Sequence, residues 1–438
     1  MSIPLPEAFC RVMREQLGSE AEALFEALEG VHIRALRFGD KKADTEVPGL
    51  LSPVPYALNA YELEKDSPAG RSWLHDGGLY YLQEPAAMVP ASVLNPAPGE
   101  SVLDLCAAPG GKSTQLSSLM RSRGLLVCNE VVPRRAQVLS GNLERMGVGH
   151  ALVTQERPEK LAQRFPGFFD AVLVDAPCSG EGMFRRQAES RLEWSWDGVR
   201  GCQSRQREIL SCAVKMVRLG GRLVYSTCTL NHLENEDNVL WLEENFPDFH
   251  RESFRLAGEE YPGILTCYPH RFRGEGQFAA LLRRGGETEA RVPAPLPPPV
   301  SREQKQALFS FSPFEGEVMT FGQILVSLPE CPPLQGLRVL RCGLHLGQVR
   351  NHGFEPDHAW AMSLTPPCLP CVDMCEEEAA AYLRGDVLRE RPERGWVLAR
   401  WKGLPLGLGK CSSGVMKNHY PKGLRRTSGQ MDETGLLS

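Results

Sequence analysis

Two cysteines stand where a thiol could do chemistry. Cys178 lies in DAPCSGEG, Asp175 to Gly182, and Cys228 in YSTCT, Tyr225 to Thr229. Each stretch closes a short apolar run that reads as a buried strand. A single free cysteine is more often a small core hydrophobe. Two of them just past neighbouring strand ends, beside Asp175, suggest a thiolate that adds to an electron-poor carbon and later leaves. Carbon 5 of cytosine needs such help, being a poor nucleophile. A thiolate adding to carbon 6 turns the ring into an enamine that can attack an electrophilic methyl group. A base must then take the carbon-5 proton so that the thiol can depart. A carboxyl group near N3 and the exocyclic amine would stabilise the charge shift. Two thiols and an acid in one pocket suit these steps, and spacing alone leaves open which thiol attacks.

A methyl donor needs its own cradle. DLCAAPGGKS, Asp104 to Ser113, follows one apolar run and precedes a helical stretch. Gly110 and Gly111 let backbone approach a ligand, and a helix start offers N–H groups to an anion. The loop is neither GxGxxG nor a phosphate-binding P-loop. Glu130 ends the next apolar run, LLVCNE, about 20 residues on, where a carboxylate can accept hydrogen bonds from ribose hydroxyls. Loop and acid together favour a nucleoside-containing ligand.

These residues are spaced by alternating elements. SVLDLCAA, LLVCNE, HALVTQ, DAVLVDAP and RLVYSTCT read as strands. KSTQLSSLMRS, PRRAQVLSGNLERMG and SRQREILSCAVKMVRLG carry apolar residues at helical spacing, with Gly147 and Gly220–Gly221 as stop signals. Such alternation implies a parallel sheet covered on both faces. The chain has 438 residues, 42% hydrophobic and 24% charged, enough for two or three domains. GETEARVPAPLPPPVSRE, Gly286 to Glu303, holds five prolines and reads as an extended linker. The head holds a helical stretch, REQLGSEAEALFEALEG, and a strand candidate, HIRALRF. The expected division is an N-terminal cap or RNA-binding domain over 1–75, a catalytic domain over 76–285, a linker over 286–303 and a tail domain over 304–438. No apolar run is long enough for a membrane span, and no secretion signal is evident, so a cytoplasmic protein is expected. Fourteen scattered cysteines fit a reducing compartment. A net charge of −5 means that any RNA binding must use local basic surfaces.

In order and spacing, DLCAAPGGKS, DAPCSGEG and YSTCT resemble the Nop/Sun family of RNA cytosine-C5 methyltransferases. YYLQEPAAM, Tyr80 to Met88, resembles the segment before that family's core. The head LPEAFCRVMREQ and the tail GLPLGLGKCSSGVMKNHYPKGLR are similar to the bacterial RsmF-like subgroup, which acts on small-subunit ribosomal RNA. The resemblance implies a Rossmann-like α/β core with a mostly parallel seven-stranded sheet, a small N-terminal domain and a C-terminal PUA-like RNA-binding domain. It implies S-adenosyl-L-methionine as cofactor, held by Cys106, Ala107, Ala108, Pro109, Gly110, Gly111 and Lys112, with Glu130 on the ribose. It implies Cys228 as nucleophile, Cys178 as the group assisting product release, and Asp175 facing both the methionine end and the target base. Lys112 is implied to reach the base as well. Many relatives carry an aspartate near the adenine; here Glu156, in ThrGlnGluArg, is assigned to that position.

The substrate partner is then RNA, with no membrane and no DNA, and the chain is expected to act as a monomer. Lys410, Lys417, Lys422, Arg425 and Arg426, interleaved with His419 and Tyr420, suit RNA backbone and bases. Arg185, Arg186 and Arg191 follow the Cys178 loop and could hold phosphates near the site. The target cytosine would have to leave its stack. Cys368, Cys371 and Cys375 form C-x2-C-x3-C, which with Cys331 or Cys411 could ligate metal, but no second pair at finger spacing accompanies it and no metal is expected. A DNA cytosine methyltransferase, whose nucleophile follows a proline as Cys178 follows Pro177, is disfavoured by YSTCT and the tail. An RNA-binding assembly factor without catalysis is disfavoured by the intact thiols.

Overall fold

A computed structural model describes residues 3–287, 300–330, 332–351 and 353–425. Most of the proline-rich stretch, Cys331 and Arg426 therefore lie outside the described residues. The central sheet is built from β1 (Ser101–Asp104), β2 (Leu125–Asn129), β3 (Ala151–Thr154), β4 (Phe169–Asp175), β5 (Val217–Thr227), β6 (Phe249–Arg251), β7 (Ile264–Cys267), β8 (Gln277–Arg284) and β9 (Val339–Cys342). Their order is β6-β8-β5-β4-β1-β2-β3-β9, with β7 also paired to β8. β1 to β5 run parallel to one another. The remaining strands join antiparallel. Among the described residues the sheet has nine strands, more than the seven expected, partly because the tail contributes β9 to the open edge of β3.

Alternation along these strands serves two cores, as burial on both faces requires. Val102, Leu126, Val153, Leu173 and Val224 face one cluster. Leu103, Val127, Leu152, Val172, Val174 and Leu223 face the other. Connecting helices cover them: α1 (Gly111–Leu119), α2 (Pro133–Arg145), α3 (Pro158–Arg164), α4 (Trp196–Met216) and α5 (Glu236–Asn245). Leu116, Leu139 and Leu143 close the first face. Leu161, Leu210, Met216 and Val239 close the second. Each such side chain contributes about 1.5–3 kcal/mol when fully buried. The chain runs β1, β2, β3 to one side and then returns to β4 and β5 on the other. Beside β1 the strand order reverses, and ligands bind at the carboxyl ends of strands at such a point.

α2 gives way to Gly147 at φ +77° as expected. α4 differs. It stops at Met216, and Gly220–Gly221 lies inside β5. The register shift between Phe169 and Ala171 accommodates it there, and Val217 O accepts a hydrogen bond from Arg284 Nη1 at 2.6 Å.

The head has helices Glu7–Leu17 and Ala21–Leu28 and an antiparallel sheet of Leu50–Pro53, Ala60–Leu63, Arg34–Phe38 and Tyr80–Leu82. Tyr80–Leu82, which lies beyond the expected boundary at 75, pairs with this sheet. Phe9, Met13, Leu24 and Leu28 pack against Phe184 and Leu230, on the loops that carry the cysteines. Among the described residues the tail forms two sheets of its own. Met319–Phe321, Ile324–Ser327, Leu344–Arg350 and Gly353–Pro356 make the first. The second contains Cys371–Asp373, Gly395–Trp401, Leu404–Ser412, Val415–Asn418 and Leu388–Arg389. Leu404 reaches the head, fully buried with Leu36, Val47 and Leu74. No helix among the described residues is long and apolar enough to cross a membrane.

Candidate active site

The loop after β1 is tied to its neighbours by backbone. Leu105 N donates to Leu173 O at 2.9 Å and Ala107 N to Asn129 O at 2.8 Å. Gly110 sits at φ +112°, a conformation open chiefly to glycine, and turns the chain into α1. Gly111 is crowded as well, since an added Cβ would lie 3.2 Å from the Tyr81 ring. From the head, buried Arg37 holds the start of α1, donating to Thr114 Oγ1 at 2.7 Å and to Gly111 O at 3.3 Å. Arg135 donates to Ala108 O and Asn142 to Pro109 O, each at 2.9 Å. The whole segment from Cys106 to Lys112 is thus a fixed rim at the strand ends.

Two carboxylates flank it. Glu130, almost fully buried, accepts from Val132 N at 2.9 Å and pairs with Arg135 at 3.2 Å. Asp104, absent from the sequence-based site, is fully buried; Ser113 donates to its Oδ2 at 2.6 Å, and its Oδ1 has no hydrogen-bond partner. Burial pushes its carboxyl up to about 7. Its place as the acid ending the strand before the glycine loop was the signal available in sequence.

Glu156 follows β3. Lys160 donates to it at 2.8 Å and Arg338 N, just before β9, at 2.6 Å. Partial burial works against its charge, but these donors hold the carboxyl below its ordinary value. Asn129 ties the same turn to the glycine loop, donating to Leu105 O at 3.2 Å and to Glu156 O at 3.0 Å.

Asp175, at the end of β4, meets Lys112 Nζ at 2.7 Å, Ser226 Oγ at 3.1 Å and Gln277 Nε2 at 3.3 Å. Burial disfavours the Lys112 cation, and the Asp175 carboxylate more than offsets this, leaving the ammonium above its ordinary value. Asp175 pairs with Ser226 in the β4–β5 register. The loops leaving these two positions bring the Cys178 and Cys228 sulfurs to 3.2 Å. The Cys228 thiol beside it, together with burial, pushes the Cys178 thiol well above its ordinary value. Gly182 N donates to Cys228 O at 2.9 Å. Two further carboxylates, Glu181 and Glu234, are fully buried beside these loops. Sequence reasoning missed both, because Glu181 sits in a glycine-containing turn and Glu234 in the polar stretch NHLENED, where an acid looks solvated.

Arg185 and Arg191 are not free for phosphates. Arg185 pairs with Glu275 at 3.0 Å, and Arg191 with Glu29 at 2.6 Å, with side chains only 6% and 4% exposed. Both fasten the loop to neighbouring segments, with Arg191 also donating to Phe184 O and Leu28 O. In the tail, Trp396 lies 4.4 Å from the His419 ring, and Lys410 lies 5.3 Å over the Trp396 ring. Tyr420 is buried rather than presented for stacking. Cys375 donates to Glu377 at 3.1 Å and Cys371 to Leu369 O. Among the described residues no cluster of three or more His, Cys, Asp or Glu could hold a metal ion.

Four family models match in succession. The N-terminal domain of 16S rRNA methyltransferase RsmF covers 5–85 and 16S rRNA methyltransferase RsmB/F covers 91–283. The RsmF first C-terminal domain covers 303–364 and the RsmF PUA domain 370–426. A ribosomal RNA small subunit methyltransferase F from Klebsiella pneumoniae is 33% identical, across 86% of this chain and 85% of its own. One from Citrobacter koseri is 31% identical across 97% of each. A methyltransferase homologue from Pyrococcus horikoshii superposes with a TM-score of 0.55 at 29% identity, over 64% of this chain and 95% of its own. NSun6 from the same organism, solved with SFG, shares the fold at a TM-score of 0.53 and 20% identity, over 65% of this chain and 100% of its own. With relatives matched almost end to end, the chain belongs to the RsmB/F family of 16S rRNA methyltransferases, in its RsmF-like branch.

Proposed function

We propose that the protein methylates carbon 5 of a cytosine in small-subunit ribosomal RNA, with Cys228 as the attacking thiol. The observation that carries this reading is the pair of thiols 3.2 Å apart, beside the Asp175–Lys112 ion pair, at the carboxyl ends of adjacent parallel strands. Cys228 would add to carbon 6 of the cytosine. Asp175, paired with Lys112 at 2.7 Å, would face N3 and the amine and stabilise the shift of charge. Cys178 would assist release. Its sulfur lies 3.2 Å from that of Cys228, close enough to act on the adduct that Cys228 would form.

S-adenosyl-L-methionine, when bound, supplies the electrophilic methyl group. The residues present fit it. Asp104 offers a buried carboxylate oxygen without a partner, suited to a cationic methionine end. Cys106, Ala107, Ala108, Pro109, Gly110, Gly111 and Lys112 form the rim, and Glu130 would accept from the ribose. Glu156, its carboxylate held by Lys160 and Arg338, would frame the adenine end as a fixed turn. The basic tail, with Lys410, Lys417, Lys422 and Arg425, would contact RNA backbone. The expected division into cap, catalytic core and RNA-binding tail would keep its second limit at 285, with the strand Tyr80–Leu82 going to the cap rather than the core, in a monomer of the cytoplasm.

The test uses purified protein, unmethylated small-subunit rRNA and radiolabelled cofactor, with bisulfite mapping of the product. Cys228→Ala should transfer no methyl group, and Cys178→Ala should accumulate a protein–RNA adduct that survives denaturing electrophoresis. Full activity in Cys228→Ala would remove it as nucleophile.

A further inference from the structure

Neither cysteine lies on a regular element, yet their sulfurs meet at 3.2 Å. Glu181, three residues beyond Cys178, is fully buried beside them. Its carboxylate accepts five hydrogen bonds. Oε2 takes Thr229 Oγ1 at 2.8 Å and the backbone N–H groups of Leu230 and Asn231, each at 2.9 Å. Oε1 takes Asn231 Nδ2 at 3.0 Å and Trp194 Nε1 at 3.1 Å. All but Trp194 belong to the three residues that follow Cys228. Next to the two sulfurs, Ser179 Oγ and Thr229 Oγ1 are 2.7 Å apart. Thr229 gives its proton to Glu181, so Ser179 must donate to Thr229. Glu234 closes the network from behind, accepting from Ser179 N at 3.0 Å, Gln206 Nε2 at 2.7 Å and Asn231 Nδ2 at 2.9 Å.

A buried carboxylate without a cation is costly to keep. Among the described residues, no ion pair is seen for Glu181 or Glu234. A glutamine would fill the space without that cost, but its amide would turn N–H groups either toward Leu230 N and Asn231 N or, flipped, toward Trp194 Nε1 and Asn231 Nδ2, donors in both cases. An anion that accepts from every side is what fixes the turn.

We propose that Glu181 is a positioning residue that sets the separation and aim of the two thiols, acting through the Thr229–Ser179 hydroxyl pair. This rests on the reading that both cysteines serve one reaction.

Two readouts test it. Diamide, which takes two electrons and two protons from a pair of thiols to leave a disulfide and a hydrazine, reports thiol spacing through the yield of the linked Cys178–Cys228 peptide. Glu181→Gln should slow that closure and lower kcat, each on the order of 10–100-fold, while KM for cofactor and for RNA stays within about twofold, as expected for misalignment. Thr229→Val, which keeps the carboxylate–backbone bonds and removes only the hydroxyl link, should give a smaller loss of the same kind. It serves also if Glu181→Gln folds poorly. Parental closure rates in both variants would overturn the proposal, whatever happens to kcat. Slowed closure in a protein whose parent methylates nothing would uphold the clamp and sink the methyltransferase reading instead.

Discussion

At 2.7 Å, Lys112 and Asp175 form an ion pair in a place only partly open to water. In the proposed reaction their value would lie in being arranged beforehand, since a fixed charge costs no reorganisation when the ring charge shifts. Lys112→Met should lower methyl transfer by about 100-fold, measured with radiolabelled cofactor at saturating RNA. A parental rate would remove the lysine from the mechanism. Asp104 gives a second expectation. Its carboxyl ordinarily titrates near 3.8 and is raised to about 7 in the fold by burial. A raised carboxyl favours the folded state when protonated. That contribution is complete below its ordinary value and disappears as pH rises through about 7. Asp104→Asn should therefore melt above the parent at pH 8, with the gain shrinking toward pH 4. A difference in Tm that does not change with pH would refute it. That Cys178, Cys228, Asp175 and the glycine loop would lie together was legible, because each follows an apolar run and so marks the end of a strand on one edge of a parallel sheet. The partners of Arg185, Arg191 and Glu181 were not, because each reaches a residue remote in sequence or folded back across a turn.

The elements place these residues through a few close crossings. Gly182, on the Cys178 loop, passes Gly276, just before β8, so closely that an added Cβ would lie 2.3 Å from Gly276 O. Backbone cannot yield as a side-chain tip can, so Gly182→Ala should cost about 1–3 kcal/mol in urea unfolding and reduce activity further by shifting the Cys228 loop. Unchanged stability would show that the loop has slack. The parallel order of β1 to β5 was readable from apolar runs separated by amphipathic ones. The end of α4 was not. Val217 to Leu219 carry an apolar pattern that suits a helix end as well as a strand start, and the pairing of Phe169 with Val217 decides for the strand.

Across the molecule, head, core and tail are joined by side chains rather than by chain continuity alone. Leu404 of the tail is fully buried in the head's cluster, and the Trp73 and Trp401 rings meet edge to face at 5.3 Å. Leu404→Ala should cost about 2–5 kcal/mol and loosen this contact. Calorimetry should then show the tail melting ahead of the rest; a single undisplaced transition would mean that the contact is incidental. This docking had no signal in sequence, since an apolar residue in a strand does not announce which domain it covers.

β9 adds a consequence in time. Val339 pairs with Thr154, and 339 minus 154 puts 185 residues of synthesis between the two strands. At roughly 5–20 residues per second the ribosome needs about 10–40 s to supply the second. For that interval β3 has one side without a neighbour, a row of unpaired backbone groups of the kind that captures other chains. A segment made late thus acts as the seal on a sheet begun much earlier, and slow elongation through the intervening region lengthens the period when the nascent protein is most prone to aggregate.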